Sequence, residues 1–201
     1  MNIWRLINFM DTERNVEFLE ILKTRLTSQR LYHSICVAEQ AKHLAEIFGG
    51  DAEKAYTAGL IHDIMRYEPP EKMLELIEND GQFLTESEKN ITVTLHAIAG
   101  EVFLRKELGV TDKDILSAVR WHTTGKEDMS LLEKIIYVAD LTSEDREYPD
   151  IIEVRAMAEE SLDKTCLRGL SFTIEDNAKK CRPIHIDTVK AFNFLAERII
   201  K

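Results

Sequence analysis

Apolar residues recur every three or four positions along most of the chain, and no stretch alternates convincingly with period two. That spacing lays one apolar stripe along each of a series of helices. Residues 12–26 place Val16, Leu19, Leu22 and Leu26 on such a stripe. Residues from about 30 to 48 do the same with Val37, Ala41, Leu44 and Phe48, and then meet Gly49-Gly50, a strong stop signal. Further helices are predicted over 51–65, 70–79, 86–108, Thr111 to about 123, 130–141, 150–160, 162–180 and 185–200. Thr85-Glu86-Ser87-Glu88 and Ser130-Leu131-Leu132-Glu133 read as capping boxes, and Thr111 as an N-cap. The fold class is all-α.

Several stripes contain residues that do not belong in an apolar core. His33 lies one turn before Val37 on the stripe of the second helix, whereas His43 falls off that stripe, toward solvent. His62 and Asp63 interrupt the run Ala58-Gly59-Leu60-Ile61-His62-Asp63-Ile64-Met65. His96 shares a face with Gly100, Phe103 and Leu104; His122 follows Ile115 and Val119; Asp140 follows Leu132 and Ile136. A buried carboxylate needs a metal, a cation or several donors. Ala58 and Gly59 precede the His-Asp pair by about one turn, and their small size predicts room there for an ion or ligand. One inward histidine is ordinarily a hydrogen-bonded core residue. Six separate polar intrusions are harder to explain, because histidines and carboxylates are seldom buried. A shared metal centre accounts for all six, and imidazole with carboxylate suits iron, zinc or manganese.

Composition narrows the choice of function. The chain has 201 residues and a net charge of −10, which argues against a nucleic-acid partner, since that needs a basic face. A small phosphorylated ligand remains compatible, because a metal and a few arginines can make one cavity positive. Three cysteines, Cys36, Cys166 and Cys181, form no C-x-x-C pair and read as free thiols in a reducing cytosol. No apolar run approaches membrane-spanning length. Residues 1–10 are too short for a secretion signal and read as a docking turn or helix start. Trp4, Leu6, Ile7 and Phe9 there suit packing or a homodimer contact.

The order H…HD…H…H…D resembles the HD-domain superfamily of metal-dependent phosphohydrolases. The strings Arg30-Leu31-Tyr32-His33-Ser34, Gly59-Leu60-Ile61-His62-Asp63, His96-Ala97 with Gly100, His122-Thr123-Thr124-Gly125, Ser130-Leu131-Leu132-Glu133-Lys134-Ile135 and Tyr137-Val138-Ala139-Asp140 resemble the YqeK family in particular. So does the tail Arg182-Pro183-Ile184-His185-Ile186-Asp187-Thr188 with Ala191-Phe192-Asn193, although the family's proline after the histidine is Ile186 here. The resemblance covers roughly residues 28–198. It implies an HD-type helical bundle over 28–201 after an N-terminal helical extension, 1–27.

It also implies hydrolysis of diadenosine tetraphosphate to two ADP, with one or two metal ions, iron foremost and zinc or manganese as alternatives. His33, His62, Asp63 and Asp140 then match the metal ligands. Asp63 is central or bridging and belongs with His96 and His122 to the catalytic set. His96 and His122 match positions that hold a second metal or contact phosphates, with general acid catalysis as a further role. Arg30, Arg66, Thr123 and Arg146, with His185, match positions near the dinucleoside polyphosphate or ADP-like nucleotide. The alternatives are another HD nucleotidase, a (d)NTP phosphohydrolase, a non-catalytic nucleotide sensor and an HD-type di-iron oxygenase. A (p)ppGpp hydrolase fits less well, because Ile64-Met65-Arg66-Tyr67 lacks the paired Glu-Asp expected after the His-Asp.

Overall fold

The computed structural model describes residues 13–199, apart from the side chain of Ser87. Trp4, Leu6, Ile7 and Phe9, and the docking role predicted for residues 1–10, lie outside the described residues. Among the described residues there are eleven helices and no strand. They are α1 (Glu13–Arg25), α2 (Ser28–Phe48), α3 (Ala52–Ile61), α4 (Pro70–Asn79), α5 (Glu86–Asn90) and α6 (Thr92–Lys106). They continue with α7 (Lys113–Trp121), α8 (Leu131–Thr142), α9 (Ile151–Glu160), α10 (Leu162–Lys179) and α11 (Ile186–Ile199). None is long and apolar enough to cross a membrane.

Helices α2, α3, α7 and α8 pack on one another at the centre. Leu44, Leu60, Ile61, Ile135 and Ile136 are fully or almost fully buried there. Helix α1 packs on α3 and contributes Phe18 and Leu22 to the same core. Val16, expected on that stripe, is exposed, and Phe18 takes the inward place. Helices α4 and α6 close one flank, while α10 packs on α8 and α11.

Local chemistry explains the helix ends. Thr27 and Asp51 cap α2 and α3 by accepting from Arg30 N and Lys54 N. Both predicted capping boxes form, at Thr85/Glu88 and Ser130/Glu133. The cap of α7 is Asp112 rather than Thr111, because the Asp112 carboxylate accepts from Asp114 N and Ile115 N. Gly49 ends α2 with φ 71°, a left-handed conformation that costs a residue without Cβ little.

The helix expected over 86–108 is two helices. Ile91, at φ −89° and ψ 64°, leaves the helical region, and its carbonyl accepts from both Thr94 N and Thr94 Oγ1. Asn90 through Val93 are all poor helix formers, which makes this the weak point of the run. Ile186 is the first residue of α11. Proline is favoured at that position, so isoleucine there preserves the helix start. Cys36, Cys166 and Cys181 are free.

Candidate metal centre

The helix predicted over 51–65 ends at Ile61, and residues 62–67 follow as tight turns. His62 itself explains the stop. Its Nδ1 donates to Gly59 O at 2.7 Å, engaging a carbonyl of the last helical turn. Short-range bonds then carry the chain onward, from Ile64 N to Ile61 O and from Arg66 N to Asp63 O. His122 repeats the device at the end of α7, donating from Nδ1 to Val119 O at 2.7 Å. Both rings are thereby held with Nε2 bare and turned inward.

Gly59 does not open room for an ion. A Cβ built on it would lie 2.8 Å from Ala38 Cα and 3.0 Å from Ala38 N and Val37 O. The small residue is there so that α3 can lie against the backbone of α2. That close approach brings His33 on α2 beside His62, with ring centroids 5.4 Å apart.

The six polar intrusions meet. His33, His62, Asp63, His96 and His122 are buried, and the Asp140 side chain is 19% exposed. His62 Nε2 lies 3.2 Å from Asp63 Oδ2, while His96 Nε2 and His122 Nε2 lie 3.0 and 3.7 Å from Asp63 Oδ1. Yet both Asp63 oxygens and His62 Nε2 are buried without a hydrogen-bond partner. Three overlapping groups, His33/His62/Asp63, His62/His122/Asp140 and Asp63/His96/His122, each bring three ligand atoms within 4.8 Å. Orphaned donor atoms of this kind are costly unless a cation satisfies them, so the residues fit a divalent metal.

His96 differs from its neighbours. Arg66 Nη1 donates to His96 Nδ1 at 3.2 Å, which puts the ring proton on Nε2. That Nε2 donates to His122 Nε2 at 3.2 Å. Burial above all pushes His96 down to about 4, so its imidazole is neutral at pH 7. His62 is lowered by the same cause. Burial alone would raise Asp63, but the facing imidazoles of His62, His122 and His96 hold it well below the usual carboxylate range. Asp140 is likewise low, with His33 and Arg146 outweighing burial. Burial also opposes the charged form of His33, but hydrogen bonds to Asp140 and Asp145 raise it overall.

The cationic rim is built from three arginines. Arg30 Nη2 closes on Asp63 Oδ2. Arg146 grips Asp140 twice, from Nε to the carbonyl at 2.7 Å and from Nη2 to Oδ1. Arg66 reaches the cluster through His96. Thr123 Oγ1, next to His122, is buried without a hydrogen-bond partner. His185 is placed elsewhere, in a group with Glu88 and Asp187. Its Nδ1 accepts from Asp187 N at 3.2 Å, so His185 caps α11.

Two contributors carry no mark in the sequence pattern. Asp145 bonds His33, and Arg155 on α9 donates to the carbonyls of Thr142, Ser143, Glu144 and Arg146. Both act across turns or long chain separations, where no periodicity points to them.

A fold of this kind with this ligand order defines an HD-domain protein: residues 30–145 match the HD domain, and the chain belongs to that family. It is 37% identical over 179 residues to a symmetrical bis(5'-nucleosyl)-tetraphosphatase of Bacillus subtilis, with 89% of this chain and 96% of that protein covered. The corresponding protein of Staphylococcus aureus is 33% identical, with 89% and 94% covered. A solved structure from Clostridium acetobutylicum, described as a predicted HD superfamily hydrolase involved in NAD metabolism, superposes with a TM-score of 0.89 at 38% identity. It covers 91% of this chain and 97% of that one.

Proposed function

We propose that this chain is a metal-dependent hydrolase that cleaves diadenosine tetraphosphate symmetrically into two ADP. The observation that carries the reading is Asp63: a fully buried carboxylate, faced by three imidazoles and Arg30, whose oxygens have no hydrogen-bond partner. The near full-length similarity to symmetrical bis(5'-nucleosyl)-tetraphosphatases supports the choice of substrate.

His33, His62, Asp63 and Asp140 would hold the metal, iron foremost with zinc or manganese as alternatives. Such an ion supplies Lewis acidity and activates water when bound. The protein does the rest. Asp63 and Asp140, held as anions, keep the centre attractive to a cation. Arg30 and Arg146 present guanidinium groups to the phosphoryl oxygens, where charge grows as the central anhydride P–O bond breaks. Water oxygen ends on one phosphorus and the bridging oxygen leaves with the other, giving one ADP on each side.

His96 acts as a neutral N–H donor to a phosphate oxygen rather than as a general acid, because a ring titrating near 4 carries no spare proton at pH 7. The Nδ1 bonds to Gly59 O and Val119 O leave unprotonated Nε2 atoms at His62 and His122 for ligation. The Thr123 hydroxyl completes the nucleotide contacts in this reading, while His185 stays with Glu88 and Asp187 at the start of α11.

The test is product analysis of metal-loaded protein with diadenosine tetraphosphate. ADP is expected as the only nucleotide product, and Asp63→Asn should lower turnover on the order of 10²–10³-fold or more. Release of ATP plus AMP, or full turnover by the variant, overturns the proposal. Turnover only of a mononucleotide, to nucleoside plus phosphate or triphosphate, would point to another HD phosphohydrolase.

A further inference from the structure

His33 poses a problem that His62 and His122 do not. Those two rings stand at helix ends, where carbonyls of the last turn are open to a ring N–H. His33 lies within α2, whose carbonyls are engaged by the helix itself. A side chain from elsewhere must orient it.

That side chain is Asp145, in the turn after α8. Its Oδ2 accepts from His33 Nδ1 at 2.7 Å, and its Oδ1 accepts from Ser143 Oγ at 2.7 Å. Both carboxylate oxygens are therefore engaged, which fixes the carboxylate plane and the ring plane together. Ser143 is fully buried. The main chain around it is held by Arg155, which donates from Nε to Thr142 O at 2.9 Å and from Nη2 to Ser143 O at 2.7 Å. On its other edge, His33 Nε2 sits 3.0 Å from Asp140 Oδ1, inside the cluster.

We infer that Asp145 is a positioning residue for the metal centre: by holding a proton of His33 on Nδ1, it makes Nε2, which faces Asp140, the nitrogen left to bind an ion, and raises the basicity of that nitrogen. It does for His33 what the carbonyls of Gly59 and Val119 do for His62 and His122. Carboxylate partners of metal-bound histidines act in this way generally. The inference rests on reading the cluster as a metal site.

The experiment uses the full chain, stripped of metal and titrated with Zn(II) against a chromophoric chelator. Asp145→Ala should weaken zinc binding about 10–100-fold, and Asp145→Asn, which keeps an acceptor oxygen without the charge, should fall between it and the unaltered protein. Thermal melts of the metal-free proteins report folding. Nitrogen-15 spectra of the zinc-loaded unaltered protein should show His33 protonated at Nδ1, a readout that needs no folded variant. Zinc affinity of a folded Asp145→Ala within about twofold of the unaltered protein overturns the inference, as does a His33 ring protonated at Nε2. If the unaltered protein binds no zinc, iron or manganese, the metal reading itself falls and takes this inference with it.

Discussion

Replacing Gly59 by alanine adds one carbon at the place where α3 touches the main chain of α2. The new Cβ would stand 2.8 Å from Ala38 Cα and 3.0 Å from Ala38 N and Val37 O, all backbone atoms that cannot rotate away. Carbon atoms in ordinary contact sit about 3.5–4.0 Å apart, so the helices must part by roughly 1 Å. Overpacking of this sort costs about 1–3 kcal/mol. Alanine returns up to about 1 kcal/mol of helix propensity, which, from the middle of that range at about 2 kcal/mol, leaves a net loss of about 1–2 kcal/mol. For a chain of this size that lowers the melting temperature by roughly 2–8 °C. The same displacement widens the gap between His33 and His62, so metal affinity should fall with stability. Gly100→Ala is the control. Its Cβ would meet Val119 Cγ1 at 3.4 Å, Ile64 Cγ2 at 3.9 Å and His62 O at 4.0 Å, all ordinary contacts, so the propensity gain should leave it neutral or about 1–3 °C more stable. Calorimetry and zinc titration of both variants provide the check. A Gly59→Ala protein that melts no lower than the unaltered one and binds zinc equally well would refute the close-packing argument.

Acid should weaken the metal-free fold through His96, which titrates at about 4 when folded against an ordinary value of 6.5. Over that interval the unfolded chain binds the extra proton, so stability is intact above about pH 6.5 and falls as pH drops toward 4. Denaturant melts at pH 7 and 5 should show this, with a smaller drop in His96→Gln. Arg25, at the end of α1, donates to Ile64 O and Glu68 Oε1 and lies over the Phe103 ring. Arg25→Ala should cost about 1–2 kcal/mol in urea unfolding and loosen the turn bearing Asp63, whereas no change would show that α1 does not brace it. Stripping metal with a chelator should lower the melting temperature, and restoring it at a hundredfold excess over Kd should return about 2.7 kcal/mol. A melt indifferent to metal would count against the centre.

The sequence makes the clustered residues readable and hides what arranges them. His33, His96, His122 and Asp140 interrupt apolar stripes, and a polar residue on a buried face is conspicuous whatever lies opposite. Asp63 stands out for the same reason. The role of Gly59 was not accessible this way, since its meaning depends on Ala38 of a different helix, and small size alone suggests a void as readily as a close contact. The end of α3 at Ile61 was hidden too, because the His62 side chain stops a run whose hydrophobicity continues through Ile64 and Met65. Asp145 sits in the turn Ser143-Glu144-Asp145-Arg146, where charged residues are unremarkable, and its partner is 112 positions away. His185 matched a motif, yet no periodicity could say that it would cap α11 and stand beside Glu88.

Arg155 holds the turn after α8 only by carbonyl oxygens, at Thr142, Ser143, Glu144 and Arg146. Every amino acid supplies that atom. This part of the turn's support is therefore insulated from the identity of the side chains it displays, and a position such as Glu144 can be exchanged without losing it. In evolutionary terms this is a fixed mount with interchangeable fittings: the end of α8 that carries Asp140 stays put while groups displayed beside the cluster are free to change. A lineage could shift its preference among phosphate esters there by single substitutions, provided the one arginine on α9 remained.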